Sequence, residues 1–342
     1  MANFNLDLIS HGLPKFVAKI ETEQPLDTFR WDVLFGGPEL KGTEGVDGVA
    51  YEWRKKNPTL AEEAIRGADP NRVNYKSNFN ANYVIPNYYH DVDKVGLEDA
   101  DMKTFGEDIE TNVDSHDRVA RRFAEKVQGI RDSYKVAKEQ MAADAIFTAK
   151  VVNESGEQTF PMTSSLLALS GANLTTKFLE VINKAYDAIR KQNKAFRATA
   201  LIMNPDDAVK LVTANKDLID KQTFALGKVA FGTENKGAVA FGNIQTPAGT
   251  ITIYAYYGVG ANGNNYIPQG KAILCGGKIG SPAYGRVQAF ENGKPCYKVQ
   301  SERMVAYETG EGDRRHYEVE YQTAPLPVIT NIDGYGVLTS IS

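Results

Sequence analysis

Residues 258–263 read Gly-Val-Gly-Ala-Asn-Gly and match the spacing of the glycine fingerprint that binds dinucleotides. In that fingerprint the third glycine opens a helix, and the amino end of the helix holds the pyrophosphate. Here residues 264–268, Asn-Asn-Tyr-Ile-Pro, follow instead, which is a composition typical of a turn. Two Gly-Lys pairs, at 227–228 and 270–271, lack the earlier glycine and the following Ser or Thr of a phosphate-binding loop. The pattern therefore predicts a turn and no nucleotide cofactor.

Histidine and cysteine are the residues of many metal and nucleophilic sites, and this chain has few of either. The histidines are scattered without the spacing of a zinc-binding pair, at His11, His90, His116 and His316. Cys275 and Cys296 are too few for a disulfide framework or a four-thiolate metal site, and two spare thiols fit a reducing cytosol. The Gly-X-Ser-X-Gly elbow of serine hydrolases is absent from the sequence. We therefore predict no catalytic residue, no metal site and no cofactor, and a protein that is not an enzyme.

The charge balance argues against a protein that grips nucleic acid. The 342 residues include 39 Lys and Arg against 43 Asp and Glu, a net charge of −4. Nonspecific binding of nucleic acid needs clustered bases against phosphates, and the sequence has no long basic run. No stretch approaches the roughly 18 continuous apolar residues of a membrane helix, and the first residues lack a secretory signal. A compact molecule in two parts, without a membrane-spanning segment, is therefore expected.

The first 47 residues are a poor candidate for a domain of their own. Glycines and prolines interrupt two short apolar stretches, at 16–20 and 29–35. This pattern predicts an extended arm that packs on something else, with a helical turn near residues 26–34. A flexible tail fits the same pattern equally well.

Two stretches after the arm predict a β-hairpin. Residues 49–54 and 72–85 read as strands around a polar loop, and the second strand alternates with a period of two. The alternating positions are Val73, Tyr75, Ser77, Phe79, Ala81 and Tyr83 against Asn74, Lys76, Asn78, Asn80 and Asn82. A two-stranded ribbon alone is marginal in water. It therefore needs a partner surface, which either its own domain or another subunit supplies.

Apolar residues recur at steps of three and four along residues 105–150 and predict one long helix. The stripe consists of Phe105, Ile109, Val113, His116, Ala120, Phe123, Val127, Ile130, Tyr134, Ala137, Met141 and Ala145. Because His116 lies on this stripe, we interpret it as a packing residue rather than a ligand. At about 1.5 Å per residue the helix would span roughly 65 Å, so we expect a sheet to support it on one side.

Helix and strand signals alternate in the second half of the chain. Residues 175–191 have one apolar face and predict a helix, and Asn204 followed by Pro205 and two acids predicts the start of another. Further predictions are strands at 198–203, 250–257 and 271–275, a loop at 226–242, and a hairpin of 303–308 with 315–322. Because the repeated βα units of a doubly wound fold are missing, the predicted class is α+β with antiparallel strands.

An arm, an aromatic hairpin, one very long helix and an α+β region follow one another in an order that resembles the Hong Kong 97 (HK-97) capsid fold of tailed bacteriophages. More specifically, the chain resembles the lambda-type major capsid protein E family. The resemblance is carried by FNANYVIP at 79–86, the strand at 251–257, YIPQGKAILCG at 266–276, YGRVQ at 284–288, YQTAPLPVI at 321–329 and GVLTSI at 336–341. Each segment is an ordinary strand-and-turn phrase, and their order and spacing along nearly the whole chain make the match.

The resemblance implies an α+β fold of the HK-97 type in five regions. These are an N-arm at 1–47, an E-loop hairpin at 48–95, a spine helix with the start of the peripheral (P) domain at 96–172, an axial (A) domain at 173–298, and returning P-domain strands with a C-terminal A-domain segment at 299–342. The implied function is that of a major capsid protein, a structural subunit that self-assembles into the hexamers and pentamers of an icosahedral head.

Contact residues and partners are implied in the same way. Because the E-loop of such shells reaches over a neighbouring subunit, intersubunit contacts are expected at Tyr51, Trp53, Tyr75, Phe79 and Tyr83. Packing of the spine helix is expected at Phe105, Ile109, Phe123, Val127, Ile130, Tyr134 and Met141. The implied partners are further copies of the chain, a scaffolding protein, a portal, a decoration protein, and double-stranded DNA that is enclosed without sequence-specific binding. The implied location is the virion capsid, assembled in the host cytoplasm.

Two other structural functions stay open on the sequence. An encapsulin-like compartment uses the same fold and would be distinguished by a site for enzyme cargo. A tail-tube or connector subunit would form tubes or rings instead of closed shells. An unrecognised hydrolase is a third alternative, for which no motif exists. A fused scaffolding domain ahead of Met1 and a Lys–Asn crosslink are not expected.

Overall fold

The elements predicted above pair and pack as follows in a computed structural model of the chain. The structure describes residues 28–41, 49–56, 77–95, 115–153, 156–215, 224–225, 237–247, 249–260, 262–291, 294–309 and 316–341. The predicted arm before residue 28 and the predicted first turns of the long helix, residues 105–114, lie outside these ranges. No helix within them combines the length and the apolar character needed to cross a membrane.

The long helix is confirmed over its described part. This helix, α1, spans Ser115–Thr148 and has 34 residues. At about 1.5 Å per residue its length is roughly 50 Å. It ends at Ala149, whose φ of 52° is left-handed, so that Lys150 already begins a strand and the predicted end at 150 is two residues late. The other helices are a π-helix at Phe29–Leu34, a 3-10 helix at Ser164–Ala168, α2 at Phe178–Gln192 and α3 at Pro205–Ala214.

The described ranges contain strands that we number in chain order. They are β1 (Leu40–Lys41), β2 (Val49–Lys56), β3 (Ser77–Val84), β4 (Tyr89–Val95), β5 (Lys150–Asn153), β6 (Gly156–Thr159), β7 (Leu169–Ser170), β8 (Ala200–Met203), β9 (Phe224–Ala225), β10 (Ala238–Thr246), β11 (Gly249–Tyr256), β12 (Lys271–Cys275), β13 (Gly280–Tyr284), β14 (Arg286–Glu291), β15 (Lys294–Val299), β16 (Arg303–Thr309), β17 (His316–Thr323), β18 (Pro325–Ile329) and β19 (Tyr335–Thr339). The predicted strand at 271–275 is confirmed in full, and the predicted hairpins form as β2–β3 and β16–β17.

A seven-stranded sheet with both faces covered forms the centre of the described fold. Its strand order is β7-β19-β12-β8-β11-β10-β9, with β8–β11 and β7–β19 parallel and the other pairs antiparallel. Ile251 and Ile253 share a core with α2 and α3, whereas Tyr254 and Tyr256 share a core with α1 and the π-helix. The period of two in β11 therefore separates two buried faces and does not separate a buried face from an exposed one.

The start of α3 follows the predicted capping. Asn204 precedes Pro205 at the first helical position, and its side-chain oxygen accepts from the amide of Asp206 at 3.0 Å. Such a cap satisfies one of the amides that a helix start leaves unpaired. The Asn204 Nδ2 also donates to the carbonyl of Ile267 at 2.9 Å, so the cap ties α3 to the turn before β12.

The predicted loop at 226–242 is wrong over its last five residues. Strand β10 begins at Ala238 and pairs with β11 along its length. The register shifts between Ala240 and Gly242, which is the position a glycine takes in a bulged strand. Long-range pairing with β11 therefore overrides the local loop signal of the glycines.

A second, three-stranded sheet packs against α1 around Phe123 and Val127, whereas the seven-stranded sheet packs nearer the end of the helix, around Ala142 and Ile146. The order of the three-stranded sheet is β16-β17-β4, and all pairs are antiparallel. Phe123, Val127 and Val319 form one small core between helix and sheet. Further along, the rings of Tyr134 and Tyr321 stack with centroids 4.7 Å apart. The predicted support of the long helix by a sheet on one side is thus confirmed for the described turns.

Gly129 is an exposed weak point inside α1. A Cβ at this position would meet no atom within 4 Å, and glycine is about 1 kcal/mol less favourable than alanine inside a helix. We expect Gly129→Ala to raise the free energy of unfolding by about 1 kcal/mol, as measured by denaturant unfolding of the subunit. An unchanged or lower value would show that residue 129 needs a conformation that alanine disfavours.

Candidate functional site

The glycine pattern at 258–263 forms the predicted turn. The amide of Gly260 donates to the carbonyl of Asn264, and the amide of Gly263 donates to the carbonyl of Gly260, both at 2.9 Å. Gly263 has a φ of 76°, in the left-handed region that favours glycine. A nucleotide fingerprint needs a helix here, whereas this chain continues into the buried residues Tyr266 and Ile267.

Two of the histidines lie beside glutamates of β17. Nε2 of His90 is 2.9 Å from Oε1 of Glu320, and Nε2 of His316 is 3.1 Å from Oε1 of Glu318. The hydrogen bond from His316 is the main reason that the pKa of Glu318 lies below its usual range. Within the described ranges no cluster of three His, Cys, Asp or Glu side chains is placed to hold a metal ion. His11 and the side chain of His116 lie outside the described part.

The two cysteines are free thiols in different surroundings. Cys275 is fully buried in the core between α1 and the seven-stranded sheet, and burial raises the pKa of its thiol to about 12. A thiol with such a pKa is not ionised at neutral pH, and only the thiolate is a good nucleophile. Cys275 is therefore a small packing residue, while Cys296 is partly exposed on β15.

The ribbon β2–β3 is the first candidate contact surface. Its eight residue pairs run from Val49 opposite Val84 to Lys56 opposite Ser77. Tyr83, near the base of the ribbon, leaves 50% of its surface exposed. Tyr75 lies outside the described residues. So do the side chains of Tyr51, Trp53 and Phe79.

The register of the ribbon places its ring positions on both faces. Trp53 is opposite Asn80, and Phe79 is opposite Arg54. Residues opposite each other in an antiparallel pair share a face of the sheet. The positions of Tyr51 and Trp53 therefore belong to the face of the β3 asparagines, and those of Phe79 and Tyr83 belong to the other face. The sequence shows the alternation within β3, but it does not show that the ring positions of β2 and of β3 lie on opposite faces of the ribbon.

A second exposed apolar patch lies where β10 and β11 meet the glycine turn. Val239, Tyr257 and Val259 leave 43%, 48% and 49% of their surfaces exposed. They are brought together because β10 pairs with β11 and the amide of Tyr257 donates to the carbonyl of Gly237 at 2.9 Å. Three such side chains in one place form the kind of patch that proteins use for association.

A third patch lies on the face of sheet β16-β17-β4 that points away from α1. Val92 and Tyr307 are exposed there on the two outer strands, and Glu318 and Glu320 lie between them on β17. The amine of Lys94 is 3.4 Å from Oε1 of Glu318, so the acidic row is paired within the subunit. This face combines apolar and charged groups, as the rim of a protein interface does.

Comparison with known proteins identifies the family of this chain. The model of a family described as phage major capsid protein E matches residues 18–335. The chain belongs to this family. A search of curated proteins found no match to the sequence.

Several solved structures are similar to this chain, and one with a TM-score above 0.5 shares its fold. A prophage protein of E. coli CFT073, described as a capsid protein, is 14% identical and has a TM-score of 0.59, with 97% of this chain and 98% of that chain covered. A protein of Mycobacterium phage Patience is 12% identical with a TM-score of 0.45, covering 98% and 88%. The SrpI encapsulin of Synechococcus elongatus PCC 7942 is 9% identical with a TM-score of 0.42, covering 86% and 82%.

The predicted family, fold class and function are therefore confirmed. This capsid protein has an α+β fold of the HK-97 type, and it is a bacteriophage major capsid protein that self-assembles into an icosahedral head. Its role is structural, and its place is the virion capsid. The exposed patches are consequently surfaces of a subunit that works only among copies of itself.

The structure places the predicted spine-helix residues of the capsid protein in different environments. Phe123, Val127, Tyr134 and Met141 are buried, and Ile130 is partly buried. Phe105 and Ile109 lie outside the described ranges. In the buried group Tyr134 also donates a hydrogen bond to Oδ2 of Asp91 at 2.5 Å, so this position carries a polar contact that the apolar stripe did not indicate.

Sequence reasoning missed a fully buried ion pair of the capsid protein. Arg30, in the π-helix, and Glu139, on α1, are both 0% exposed, and Nε of Arg30 lies 3.0 Å from Oε1 of Glu139. Glu139 also accepts from the amides of Arg30 and Trp31 at 3.0 and 2.9 Å and from the hydroxyl of Tyr256 at 2.6 Å. The partners are 109 residues apart in the chain, and no local pattern indicates that they meet.

Buried tyrosines predict that the capsid subunit loses stability at alkaline pH. Burial is the main cause that raises the pKa values of Tyr134, Tyr321 and Tyr335, and it raises that of Tyr284 to about 12. In the unfolded chain tyrosine ionises near pH 10. Above about pH 10 the unfolded state therefore releases protons that the folded state keeps. The stability that these tyrosines contribute is complete below pH 10 and is lost as the pH rises towards the folded pKa values.

We expect a tyrosinate titration, followed by absorbance, to show two groups among the 17 tyrosines. The exposed ones should ionise near pH 10, and the buried ones only together with the loss of circular dichroism. A single titration near pH 10 of a chain that stays folded would contradict the expectation.

Proposed function

We propose that this capsid protein builds a shell of hexamers and pentamers that encloses double-stranded DNA and catalyses no reaction. The observation that carries the proposal is the family match over residues 18–335, which includes the ribbon, α1 and all the strands before β19. The net charge of −4 supports a wall that contains DNA without gripping it, because tight binding of phosphates needs clustered bases.

The ribbon β2–β3 is proposed to lie over a neighbouring subunit. A two-stranded ribbon of this length is marginal by itself, and its ring positions are divided between two faces. Such a ribbon gains stability when both faces are covered. The intersubunit contacts proposed on this basis are Tyr51, Trp53, Tyr75, Phe79 and Tyr83.

The division into regions also belongs to the proposal. We assign residues 1–47 to the N-arm, 48–95 to the E-loop, 96–172 to the spine helix and the first part of the P domain, 173–298 to the A domain, and 299–342 to returning strands of both domains. Strand β19 supports the last assignment, since it joins the seven-stranded sheet beside β12, while β16 and β17 form the sheet along α1.

The proposed partners beyond further copies of the chain are a scaffolding protein, a portal and a decoration protein. Assembly is proposed to take place in the host cytoplasm. The two thiols support this location, because Cys275 and Cys296 are both free and a reducing compartment keeps them so.

Electron microscopy of the expressed full chain, alone and together with its genomic neighbours, tests the proposed function. Closed icosahedral shells with ribbons crossing between subunits are the expected result. Tubes or open rings would instead indicate another virion component, and shells filled with a host enzyme would indicate an encapsulin. A freely tumbling monomer that buries Tyr75 and Phe79 in its own interior would overturn the proposal.

A further inference from the structure

Strands β14 and β15 form a second two-stranded ribbon, separate from the larger sheets. Residues Arg286–Glu291 pair with Lys294–Val299 along the whole length of the two strands. One face of the ribbon packs on the subunit itself, since Val287 and Ala289 are only 0% and 3% exposed. Successive side chains of a strand point to opposite faces, so Tyr297 belongs to the other, outer face, where it leaves 45% of its surface exposed.

The outer face of β14–β15 is mostly apolar. A ribbon that buries one face normally presents polar residues on the other. Here the register gives the outer face two polar and four apolar or aromatic positions, which are Arg286, Gln288, Phe290, Pro295, Tyr297 and Val299. Pro295 is exposed, as is Tyr297. Exposed apolar groups collected on one face are typical of a surface that another molecule covers.

Arg286 and Tyr297 form a contact that fixes both side chains before any partner binds. Arg286 is opposite Val299, two positions from Tyr297, so the two side chains are diagonal neighbours on the outer face. Cζ of Arg286 lies 4.0 Å from the centroid of the Tyr297 ring, which is a close cation–π contact. Side chains that are already held lose less conformational entropy on binding. Tyrosine and arginine are also enriched among the residues that dominate the energy of protein interfaces.

The distribution of charge on the ribbon favours a protein partner over a nucleic acid. Arg286 is the one basic position on the outer face. Lys294 is opposite Glu291, and Lys298 is opposite Val287, so both lysines belong to the inner face. Binding of phosphates needs clustered bases, whereas an aromatic ring beside a single arginine suits a protein surface.

The ribbon β14–β15 starts beside the ribbon β2–β3. Gly285 immediately precedes β14, and a Cβ at this position would lie 3.2 Å from Cγ of Pro86. Pro86 follows β3, which ends at Val84. A copy that covers Tyr83 at the base of β2–β3 would therefore lie next to the base of β14–β15 as well.

We propose that the outer face of β14–β15, with Tyr297 held by Arg286 as its anchor, is a contact surface for a second copy of this chain. The inference rests on the proposed assembly into shells and adds a second surface to the ribbon β2–β3. Every subunit carries one such face, so covering all of them requires a partner present in equal numbers. A symmetric shell of identical chains supplies that partner, because each copy repeats the same contact.

Hydroxyl-radical labelling read by mass spectrometry tests the contact on the native full-length chain, as free subunits and as shells formed by this chain alone. We expect Tyr297 to be oxidised at least about tenfold more slowly in shells, because interface anchors are fully desolvated. Equal oxidation of Tyr297 in both forms would overturn this inference, while the shells themselves would still support the proposed function. A native chain that forms no shells would overturn both.

Substitutions measure how much the contact contributes to assembly. Tyr297→Ala should raise the subunit concentration at which shells form by about tenfold, the effect of losing about 1.4 kcal/mol, and Tyr297→Phe should assemble as the native chain does. Lys294→Ala removes a side chain from the inner face of the same ribbon and should also leave assembly unchanged. Thermal melting of the free subunits shows which variants are folded.

Two results of these measurements would overturn the inference. One is native assembly by Tyr297→Ala subunits that melt normally. The other is a larger loss of assembly in Lys294→Ala than in Tyr297→Ala, because charge and not the covered ring would then hold the partner. If Tyr297→Ala does not fold, the labelling of the native chain decides by itself.

Discussion

Replacing Glu139 by glutamine is expected to lower the free energy of unfolding of the subunit by about 3–5 kcal/mol, the usual effect of leaving one member of a buried ion pair alone. The substitution keeps the size and shape of the side chain but removes its charge. Arg30 then stays buried at 0% exposure opposite a neutral amide. The amide NH₂ group also turns a donor towards the N–H and O–H groups of Arg30, Trp31 and Tyr256, which already donate to this position.

Urea unfolding followed by circular dichroism measures this effect. Glu157→Gln is the matched control, because Glu157 makes a contact of 2.6 Å with Lys150 in an exposed hairpin and exposed pairs contribute little to stability. The control should have the same urea midpoint of unfolding as the native chain. If Glu139→Gln did the same, the carboxylate would not be compensating a buried guanidinium.

Elements whose signals lie close together in the chain could be predicted from the sequence. Asn204 and Asp206 form the cap of α3 across two residues, so both partners of the bond are visible in one short stretch. The strand at 271–275 is a short apolar run that begins after Gly270 and ends before Gly276. In both cases the residues that begin or end the element are close to it in the chain, and the tertiary contacts favour the same structure.

Contacts between distant segments could not be predicted in this way. Glu139 and Glu125 are both acidic residues on α1, yet Glu139 is enclosed and Glu125 is only partly buried. The difference comes from the π-helix, whose Arg30 reaches Glu139 from 109 residues away in the chain. Charged residues are normally expected at the surface, so the sequence favours the wrong environment for both Arg30 and Glu139.

Strand pairing was the second feature that could not be predicted from the sequence. The glycines at 226–242 predicted a loop, and β10 nevertheless begins at Ala238 because β11 offers it a full ladder of hydrogen bonds. The ribbon shows the same limit at the candidate site. Alternation in β3 was visible, whereas the division of ring positions between two faces follows from pairing Trp53 with Asn80, which the period alone does not fix.

Tyr83 is the predicted contact ring whose side chain the structure describes, and its removal should weaken assembly strongly. With 50% of its surface exposed, the ring adds little to the fold of the isolated subunit. Covered by a neighbouring copy, an aromatic anchor contributes about 2 kcal/mol or more. We therefore expect Tyr83→Ala to raise the subunit concentration at which shells form by about thirtyfold, since each 1.4 kcal/mol is a factor of ten.

Sedimentation of shells from subunits over a range of concentrations measures this change, and thermal melting of the free subunit reports its folding. Tyr83→Phe is the matched control, because it keeps the ring that a neighbour would cover and should assemble as the native chain does. Phe79→Ala, at a position on the same face of the ribbon by register, should weaken assembly in the same direction. Native assembly by Tyr83→Ala subunits that melt normally would show that the base of the ribbon is not covered by a neighbouring copy, because a ring that is exposed in the subunit and buried in the shell cannot be removed without loss.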